Sequence, residues 1–258
     1  FSKKRGGGSV TAFLGIIEIL KNKKNEVLIF SMKDKTNYKS RFEGYFSEHF
    51  DVNADYSFLK KVKLAFRSIY NLQAKVKIKS LIKNEKPQVA HLHNIDYYLG
   101  TSIVDALKAE NIPMIMTLHN YKLICPNYKL FNKGEICEKC KGGKYYNCFL
   151  NRCLKNSFSF SFVAMVEAYF GKIFKKYEKI DYFIAPSFFM KNKCIEFGVP
   201  ENKIKVIRNP FDFGSLKIED EKEEEDYFLY FGRISEEKGL FDLIRSEEHT
   251  SELQSHSD

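Results

Sequence analysis

The chain has 258 residues, of which 44% are hydrophobic and 29% charged. This composition is typical of globular proteins and excludes a disordered chain or a fibrous repeat. No apolar run reaches the ~18–20 residues of a membrane-spanning helix, so the sequence predicts no membrane span. The 42 Lys and Arg outnumber the 33 Asp and Glu, and the net charge of +9 favours an acidic partner such as a phosphate or an anionic membrane surface.

The two ends of the chain differ in character from the rest. The chain opens FSKKRGGGS without an initiator Met, which leaves targeting undetermined. Residues 245–258 read RSEEHTSELQSHSD, without apolar periodicity. That string resembles translated sequencing-adaptor DNA, so we predict a non-native tail there, the alternative being a native polar tail.

Apolar periodicity predicts helices that alternate with strands along most of the chain. The predicted helices are residues 10–24, 58–83, 101–111, 161–179, 187–198 and a helix that starts within 236–244. The predicted strands, rich in β-branched and aromatic residues, are residues 26–32, 89–93, 114–120, 181–187, 204–210 and 227–234. This alternation predicts an α/β fold with parallel strands, because parallel pairing needs a crossover between strands.

Composition also predicts the domain boundaries. Residues 1–210 form the first predicted domain, and its Cys-rich insertion at 125–153 shows no periodicity. Residues 211–226 end in the acidic run EDEKEEED, which is typical of a solvated linker. Residues 227–244 then begin a second domain.

The glycine triplet Gly6, Gly7 and Gly8 directly precedes the first predicted helix. Glycines at a helix N-terminus allow backbone amides to approach an oxygen-rich ligand closely. A tight turn without a ligand explains the same triplet equally well.

Three histidines lie in or beside predicted strands. His119 comes at the carboxyl end of the strand 114–120, where open α/β sheets bind ligands. A packed, structural histidine is the alternative. His91 and His93 lie two residues apart on one strand face, and no third ligand follows at a metal-like spacing. We interpret both as structural, with His93 also a candidate to line the cleft.

The motif GRISEEKG brings Gly232, Arg233 and Lys238 to a junction between a predicted strand and a predicted helix. Its loop allows both cations to converge on one anion, with helix amides behind them. Surface salt bridges are the alternative for each cation singly.

Five cysteines follow the pattern Cys125-x11-Cys137-x2-Cys140-x7-Cys148-x4-Cys153. The last four of them are compatible with a tetrahedral zinc site, although their spacing matches no standard finger. Free thiols in a loop are the alternative. Cys194, inside an amphipathic helix, is predicted to lie in the core.

Two basic helical stretches, residues 60–79 and 170–180, are candidates to lie on anionic lipid. A solvated helix face is the commoner explanation for either stretch alone. Nucleic acid is not expected as a partner, because no recognisable nucleic-acid-binding module accompanies the charge.

In their order and approximate spacing, five segments resemble the family-4 retaining glycosyltransferases of GT-B fold. They are GGGSVTAFLGIIEILKNKKNEVLIFS, VAHLHN, TLHNYKLICP, YFIAPSFFMKNKCIEFGVPENKIKVIRNPFD and YFLYFGRISEEKGL. The resemblance implies a Rossmann-like acceptor domain and the start of a truncated Rossmann-like donor domain. It also implies that His119 contacts the donor sugar, that Gly232, Arg233 and Lys238 bind the diphosphate, and that the glycine loop borders the reaction centre. The cysteine insertion resembles one found in a subset of these enzymes.

The implied function is that of a retaining hexosyltransferase. Such an enzyme moves a sugar from a UDP- or GDP-sugar to a glycan or lipid-linked acceptor, in cell-surface polysaccharide or glycolipid synthesis. The chemistry needs no cofactor, so zinc at the insertion would be structural. We expect a cytoplasmic location, peripheral on the inner face of the plasma membrane.

Three departures from the family pattern qualify this expectation. The first strand before the glycine loop is missing, Asn209-Pro210 replaces the usual Asn-Gly, and the acidic E-x7-E segment lies beyond Leu243. The chain as given is therefore expected to be an inactive fragment. One alternative is a non-enzymatic, zinc-stabilised basic α/β domain that binds anionic lipid or polysaccharide. Another is a sugar-nucleotide epimerase on the related GT-B fold.

Overall fold

The computed structural model describes residues 7–50, 54, 56–96, 98–210, 229–232 and 234–246. The chain divides into two units. The first unit comprises residues 1–130 and 138–212, and the second comprises residues 131–137 and 213–258. The predicted linker at 211–226 lies outside the described residues.

The strands confirm a parallel α/β architecture in the first unit. They are β1 (Ala90–His93), β2 (Met114–Thr117), β3 (Phe131–Asn132), β4 (Glu135–Ile136), β5 (Tyr182–Ala185) and β6 (Ile204–Val206). The main sheet has the order β1-β2-β5-β6, with every neighbouring pair parallel. Strands β3 and β4 form a short antiparallel hairpin within the second unit.

Helices connect the parallel strands, as the sequence predicts. They are α1 (Gly8–Asn22), α2 (Phe58–Ile69), α3 (Leu72–Glu85), α4 (Ser102–Ala109), α5 (Tyr146–Leu150), α6 (Phe158–Ile173) and α7 (Phe188–Glu196). In the second unit, the 3-10 turn Glu236–Lys238 precedes a helical segment at 240–246. None of the helices in the described ranges has the length and apolar character needed to cross a membrane.

The main hydrophobic core lies between the sheet and the helices α3, α4 and α7. Its fully or nearly fully buried side chains are Ile78, Ile82, Ile103, Val104, Leu107, Met114, Met116, Phe183, Met190, Cys194 and Ile204. The strands are almost continuously apolar because helices cover a parallel sheet. The prediction that Cys194 lies in the core is confirmed.

The single helix predicted at 58–83 is wrong, because the structure contains two helices separated at Tyr70 and Asn71. The Asn71 carboxamide caps α3 by accepting a hydrogen bond from the Ala74 amide and donates another to the Tyr98 carbonyl. The Ser102 hydroxyl donates to the Asn71 carbonyl. These contacts with distant residues hold Asn71 outside the helical conformation, so the chain turns there.

Two predicted strands are also wrong. Residues 26–32 form only an isolated parallel bridge between Met32 and Ser47, and no neighbouring strand in the described part of the chain completes a ladder with them. Residues 229–232 are likewise not in a strand, and the rest of the predicted strand at 227–234 is described only at Ile234. A strand pattern without a partner leaves its backbone groups without a ladder, so the pattern alone does not form a sheet.

A half-buried carboxylate on α4 ties the end of α6 to the α2–α3 junction. Asp105 accepts hydrogen bonds from the Tyr70 hydroxyl at 2.7 Å, from the Lys179 ammonium at 2.6 Å and from the Lys176 ammonium. Burial on its own raises the pKa of Asp105, but the hydrogen bonds from Lys176, Lys179 and Tyr70 outweigh it and lower the pKa to about 2. Asp105 is therefore ionised and fixes three chain segments.

Four residues in the insertion or just after its end have an unfavourable backbone conformation. Tyr128, Arg152, Lys155 and Asn156 have φ values of 57°, 49°, 52° and 50°. Residues with a Cβ rarely adopt this left-handed conformation because Cβ then approaches the following carbonyl oxygen. Surrounding packing must therefore hold these residues in place.

We predict that Asp105→Asn lowers the free energy of unfolding by about 3 kcal/mol, because it leaves the buried Lys176 ammonium without a carboxylate. Urea denaturation measures this loss. The matched control is Glu178→Gln, whose exposed carboxylate lies 4.0 Å from Lys175 and should change stability by less than ~0.5 kcal/mol. Because the folded-state pKa of Asp105 lies below its ordinary value of 3.8, wild type should lose this contribution as the pH falls from 3.8 towards 2. Equal denaturation midpoints for Asp105→Asn and wild type would contradict the assignment.

Candidate active site

Two histidines meet at the carboxyl edge of the parallel sheet. His93 ends β1, and His119 follows the neighbouring strand β2 by two residues. The His93 Nδ1 and His119 Nε2 atoms lie 2.9 Å apart, within hydrogen-bond distance. The rings stack with centroids 5.2 Å apart. Parallel neighbours end at the same edge of a sheet, so the register of β1 and β2 creates this pair.

His91 extends the cluster to a third imidazole. Its ring centroid lies 4.1 Å from that of His93, and its Nε2 atom lies 2.8 Å from the Thr117 hydroxyl oxygen. His91 therefore supports the pair from within the sheet, which agrees with its structural interpretation. His93 is a direct partner of His119, a role that its two-residue spacing from His91 does not reveal.

The three imidazoles are uncharged at neutral pH. Burial, followed by the nearby His91 and His119, lowers the pKa of His93 to about 3. Burial, followed by His119, lowers the pKa of His91 to about 4. Burial also lowers the pKa of His119. In the His93–His119 hydrogen bond, one neutral ring donates and the other accepts, so the pair can bind a hydroxyl group without adding positive charge.

The glycine-led helix lies beside this histidine pair. Gly7 precedes α1 in an extended conformation and Gly8 begins it, and both glycines have open space where a Cβ would lie. Phe13, on the second turn of α1, contacts the His93 ring edge-on with centroids 5.2 Å apart. Gly6 lies outside the described residues. Within the first unit, the structure thus brings the start of α1 and the candidate His119 to the same edge of the sheet.

Behind the histidines lies a buried polar network that the sequence analysis missed. The Lys122 ammonium and the Glu167 carboxylate form an ion pair at 2.5 Å, with side chains only 2% and 7% exposed. Burial raises the pKa of Asp96 to about 6, against the opposing effect of Lys122. Among the described residues, the Asp96 Oδ1 atom has no hydrogen-bond partner. The sequence signal that could have found them is position, because Asp96 and Lys122 come two or three residues after the predicted strands 89–93 and 114–120.

A cavity of about 330 Å³ opens next to this network. Lys122 and Glu167 line it together with Tyr145, Lys172 and Tyr177. Charged groups beside tyrosine rings provide both hydrogen-bonding groups and flat apolar surfaces. The cavity is therefore chemically suited to a polar, hydroxyl-rich ligand.

The candidate diphosphate ligands lie in the second unit or outside the described residues. Lys238 ends the 3-10 turn Glu236–Lys238 and is exposed to solvent. Gly232 is described, whereas Arg233 is not. The convergence of Arg233 and Lys238 on one anion stays a prediction.

None of the six cysteines, all of which lie in the described part of the chain, forms a disulfide bond. Cys140 and Cys148 are buried with Ala164 of α6, and Cys153 packs against them. A hydrogen bond with Cys153, together with burial, raises the pKa of the Cys148 thiol. Cys137 belongs to the second unit. In the described ranges, no group of three or more His, Cys, Asp or Glu side chains is arranged to hold a metal ion.

The Glycosyltransferase Family 4 profile matches residues 6–214, which include α1 to α7, the complete parallel sheet and the three clustered histidines. The chain belongs to glycosyltransferase family 4. No curated protein and no solved structure matches it. As a family-4 glycosyltransferase, the protein is a transferase with a Rossmann-like α/β domain, and its substrates are a sugar donor and an acceptor.

We predict that the imidazole of His93 stays neutral until the pH falls to about 3, and that of His91 until about 4, in a proton NMR titration. Because these folded-state pKa values lie below the ordinary 6.5, the unfolded chain takes up protons first, and stability should fall as the pH drops below 6.5. His119→Gln should raise the pKa of His93 only in part, since burial is the larger cause. Titration of His93 near its ordinary value would show that its ring is solvated.

Proposed function

We propose that this glycosyltransferase moves a hexose from a UDP- or GDP-sugar to a hydroxyl of a glycan or lipid-linked acceptor, with retention of the anomeric configuration. We place the reaction in cell-surface polysaccharide or glycolipid synthesis, at the inner face of the plasma membrane. The observation that carries the proposal is the neutral His93–His119 pair beside the glycine-led helix, within the segment that matches the family.

In the proposed reaction, His119 donates a hydrogen bond to a hydroxyl of the donor sugar, and His93 orients the His119 ring. A neutral imidazole suits this task because it binds the sugar without attracting the diphosphate away from its own site. If neutral His119 donates from Nδ1, its Nε2 atom accepts a hydrogen bond from the Nδ1–H group of His93, and this bond fixes the tautomer of both rings.

The proposed reaction depends on cations that stabilise the leaving group more than on a strong base that deprotonates the acceptor. As the bond between the anomeric carbon and the diphosphate oxygen breaks, negative charge accumulates on the departing nucleotide. Arg233 and Lys238 are proposed to bind that charge, with Gly232 allowing close approach of the backbone. The acceptor hydroxyl transfers its proton to the departing diphosphate oxygen as its own oxygen bonds to the anomeric carbon on the face that the diphosphate leaves.

The acceptor is proposed to bind to the first unit. The cavity beside the Lys122–Glu167 pair supports this placement, since its tyrosines and charged groups suit a hydroxyl-rich ligand. Family membership favours sugar transfer over the non-enzymatic binding domain and over the epimerase.

Zinc is proposed as a structural ion of the insertion, bound by Cys137, Cys140, Cys148 and Cys153. The support is that Cys140 and Cys148 are buried in one cluster and Cys153 packs against it. Binding requires the thiols to move, because their present arrangement does not form a metal site. Zinc would bind the thiolate forms of these cysteines and release their protons. It would thereby favour the thiolate of Cys148, whose pKa is raised in the structure.

We predict that Arg233→Ala and Lys238→Ala each lower kcat of sugar transfer. The expected loss is ~2–4 kcal/mol of transition-state stabilisation, as for one preorganised donor in an oxyanion site. Arg233→Lys should stay impaired, because an ammonium cannot replace a bidentate guanidinium. The control Lys79→Ala changes an exposed lysine of α3 and should keep wild-type turnover of a soluble acceptor. Near wild-type kcat and donor KM in both variants would refute the diphosphate assignment.

We predict about one zinc per chain in protein purified under reducing, chelator-free conditions, as expected for a structural four-thiolate site. Metal analysis by mass spectrometry gives the content directly. Cys140→Ser should release the metal, whereas Cys194→Ala, outside the insertion, should retain it. Metal-free wild-type protein would establish free thiols instead.

A further inference from the structure

Helix α2 exposes an apolar face instead of burying it. Phe58, Val62 and Phe66 recur at four-residue spacing and Leu59 lies next to them, so the four side chains share one side of the helix. We call them the α2 stripe. Phe58, Leu59 and Phe66 are 78%, 80% and 68% exposed. The helix packs against α6 through a different side, where Ser68 is buried and Leu64 half-buried.

This orientation is the reverse of the usual one. An amphipathic helix on a globular domain normally turns its apolar side towards the core. Here the apolar side faces solvent within the described structure, and several large side chains form one continuous strip. Contiguous exposed apolar surface of this kind marks an interaction site.

The charge around the α2 stripe identifies its partner. Lys61 and Lys63 border the stripe on its two sides, and both are exposed. Residues 57–85, which contain α2 and α3, include eight Lys or Arg and a single acid, Glu85. A second copy of the chain would bring the same cations face to face, so self-association through the stripe is disfavoured. An anionic surface with an apolar interior satisfies both the charge and the exposed rings.

We infer that the α2 stripe inserts into the headgroup and acyl boundary of an anionic lipid bilayer, with the flanking lysines on the phosphates. Exposed Phe and Leu on one face and Lys on the borders are the features of helices that lie in the plane of a membrane. This inference deepens the proposed location at the membrane, because it names the surface that binds there. It does not depend on sugar transfer, since vesicle binding needs neither donor nor acceptor.

The first experiment measures co-sedimentation of the full chain with two kinds of vesicle. One contains phosphatidylcholine alone, and the other contains phosphatidylcholine and phosphatidylglycerol in equal amounts. At low salt, binding to the anionic vesicles should be at least about tenfold tighter, because each lysine near an anionic surface contributes to affinity. Salt should weaken this binding. Equal binding to both vesicles, or none to either, overturns the inference.

Paired variants test the stripe and its charges separately. Leu59→Gln with Phe66→Gln should weaken binding to the anionic vesicles by about tenfold or more. The matched control is Phe188→Gln on α7, since Phe188 is also 68% exposed. Lys61→Glu with Lys63→Glu should weaken binding similarly, whereas Lys129→Glu, an exposed lysine elsewhere, should do so far less. Undiminished binding by the Leu59→Gln, Phe66→Gln protein overturns the inference.

A fluorescent reporter distinguishes insertion into the bilayer from electrostatic adsorption on its surface. The chain contains no Trp, so Phe66→Trp introduces a single emitter. Its emission should shift to the blue with anionic vesicles, while Phe188→Trp should show no shift. An unshifted Phe66→Trp spectrum on bound protein overturns insertion. A concentration-dependent dimer in ultracentrifugation that Leu59→Gln with Phe66→Gln abolishes would instead assign the stripe to a contact between copies.

Discussion

Two buried ion pairs position α6, and the candidate active site depends on that position. Glu167 on α6 pairs with Lys122, three residues after His119. Lys176, just after α6, pairs with Asp105 on α4. Each pair is costly to break because it would leave a buried charge without its partner. The Lys122–Glu167 pair holds the chain that follows β2 against α6. The Lys176–Asp105 pair holds the end of α6, the helix against which α2 packs. One helix therefore connects the histidine cluster with the exposed α2 stripe.

The local sequence pattern correctly predicted those helices and strands whose conformation does not depend on contacts with distant residues. The helices α1, α4, α6 and α7 and the strands β1, β2, β5 and β6 follow from periodicity, since their apolar positions meet the same core. The break at Asn71 could not be predicted, because it depends on bonds to Tyr98 and Ser102 about thirty residues later. Residues 26–32 have a strand-like pattern, but a strand also requires a neighbour, which composition does not specify.

The sequence indicated where the candidate site lies in the sheet, but not which side chains contact one another there. His119 stood out because a histidine at the carboxyl end of a strand lies where α/β sheets bind ligands. Its hydrogen bond to His93 needs the register of two strands, which sequence periodicity leaves open. Lys122 and Glu167 are 45 residues apart, and no spacing rule joins them. Cys140, Cys148 and Cys153 lie in one cluster, whereas Cys137 belongs to the other unit.

The left-handed residues at the end of the insertion and just after it have a consequence for how the first unit opens. Arg152, Lys155 and Asn156 are strained in the folded state and relax once their surroundings loosen. Local opening of this segment therefore requires less free energy than opening of the sheet, whose strands are buried between helices. Amide hydrogens around residues 152–156 should exchange with solvent well before those of β2 and β5. Residues 152–156 thus open at a lower free energy than the sheet. Lys155→Gly would remove strain from the folded segment and so reduce the difference between the two opening free energies.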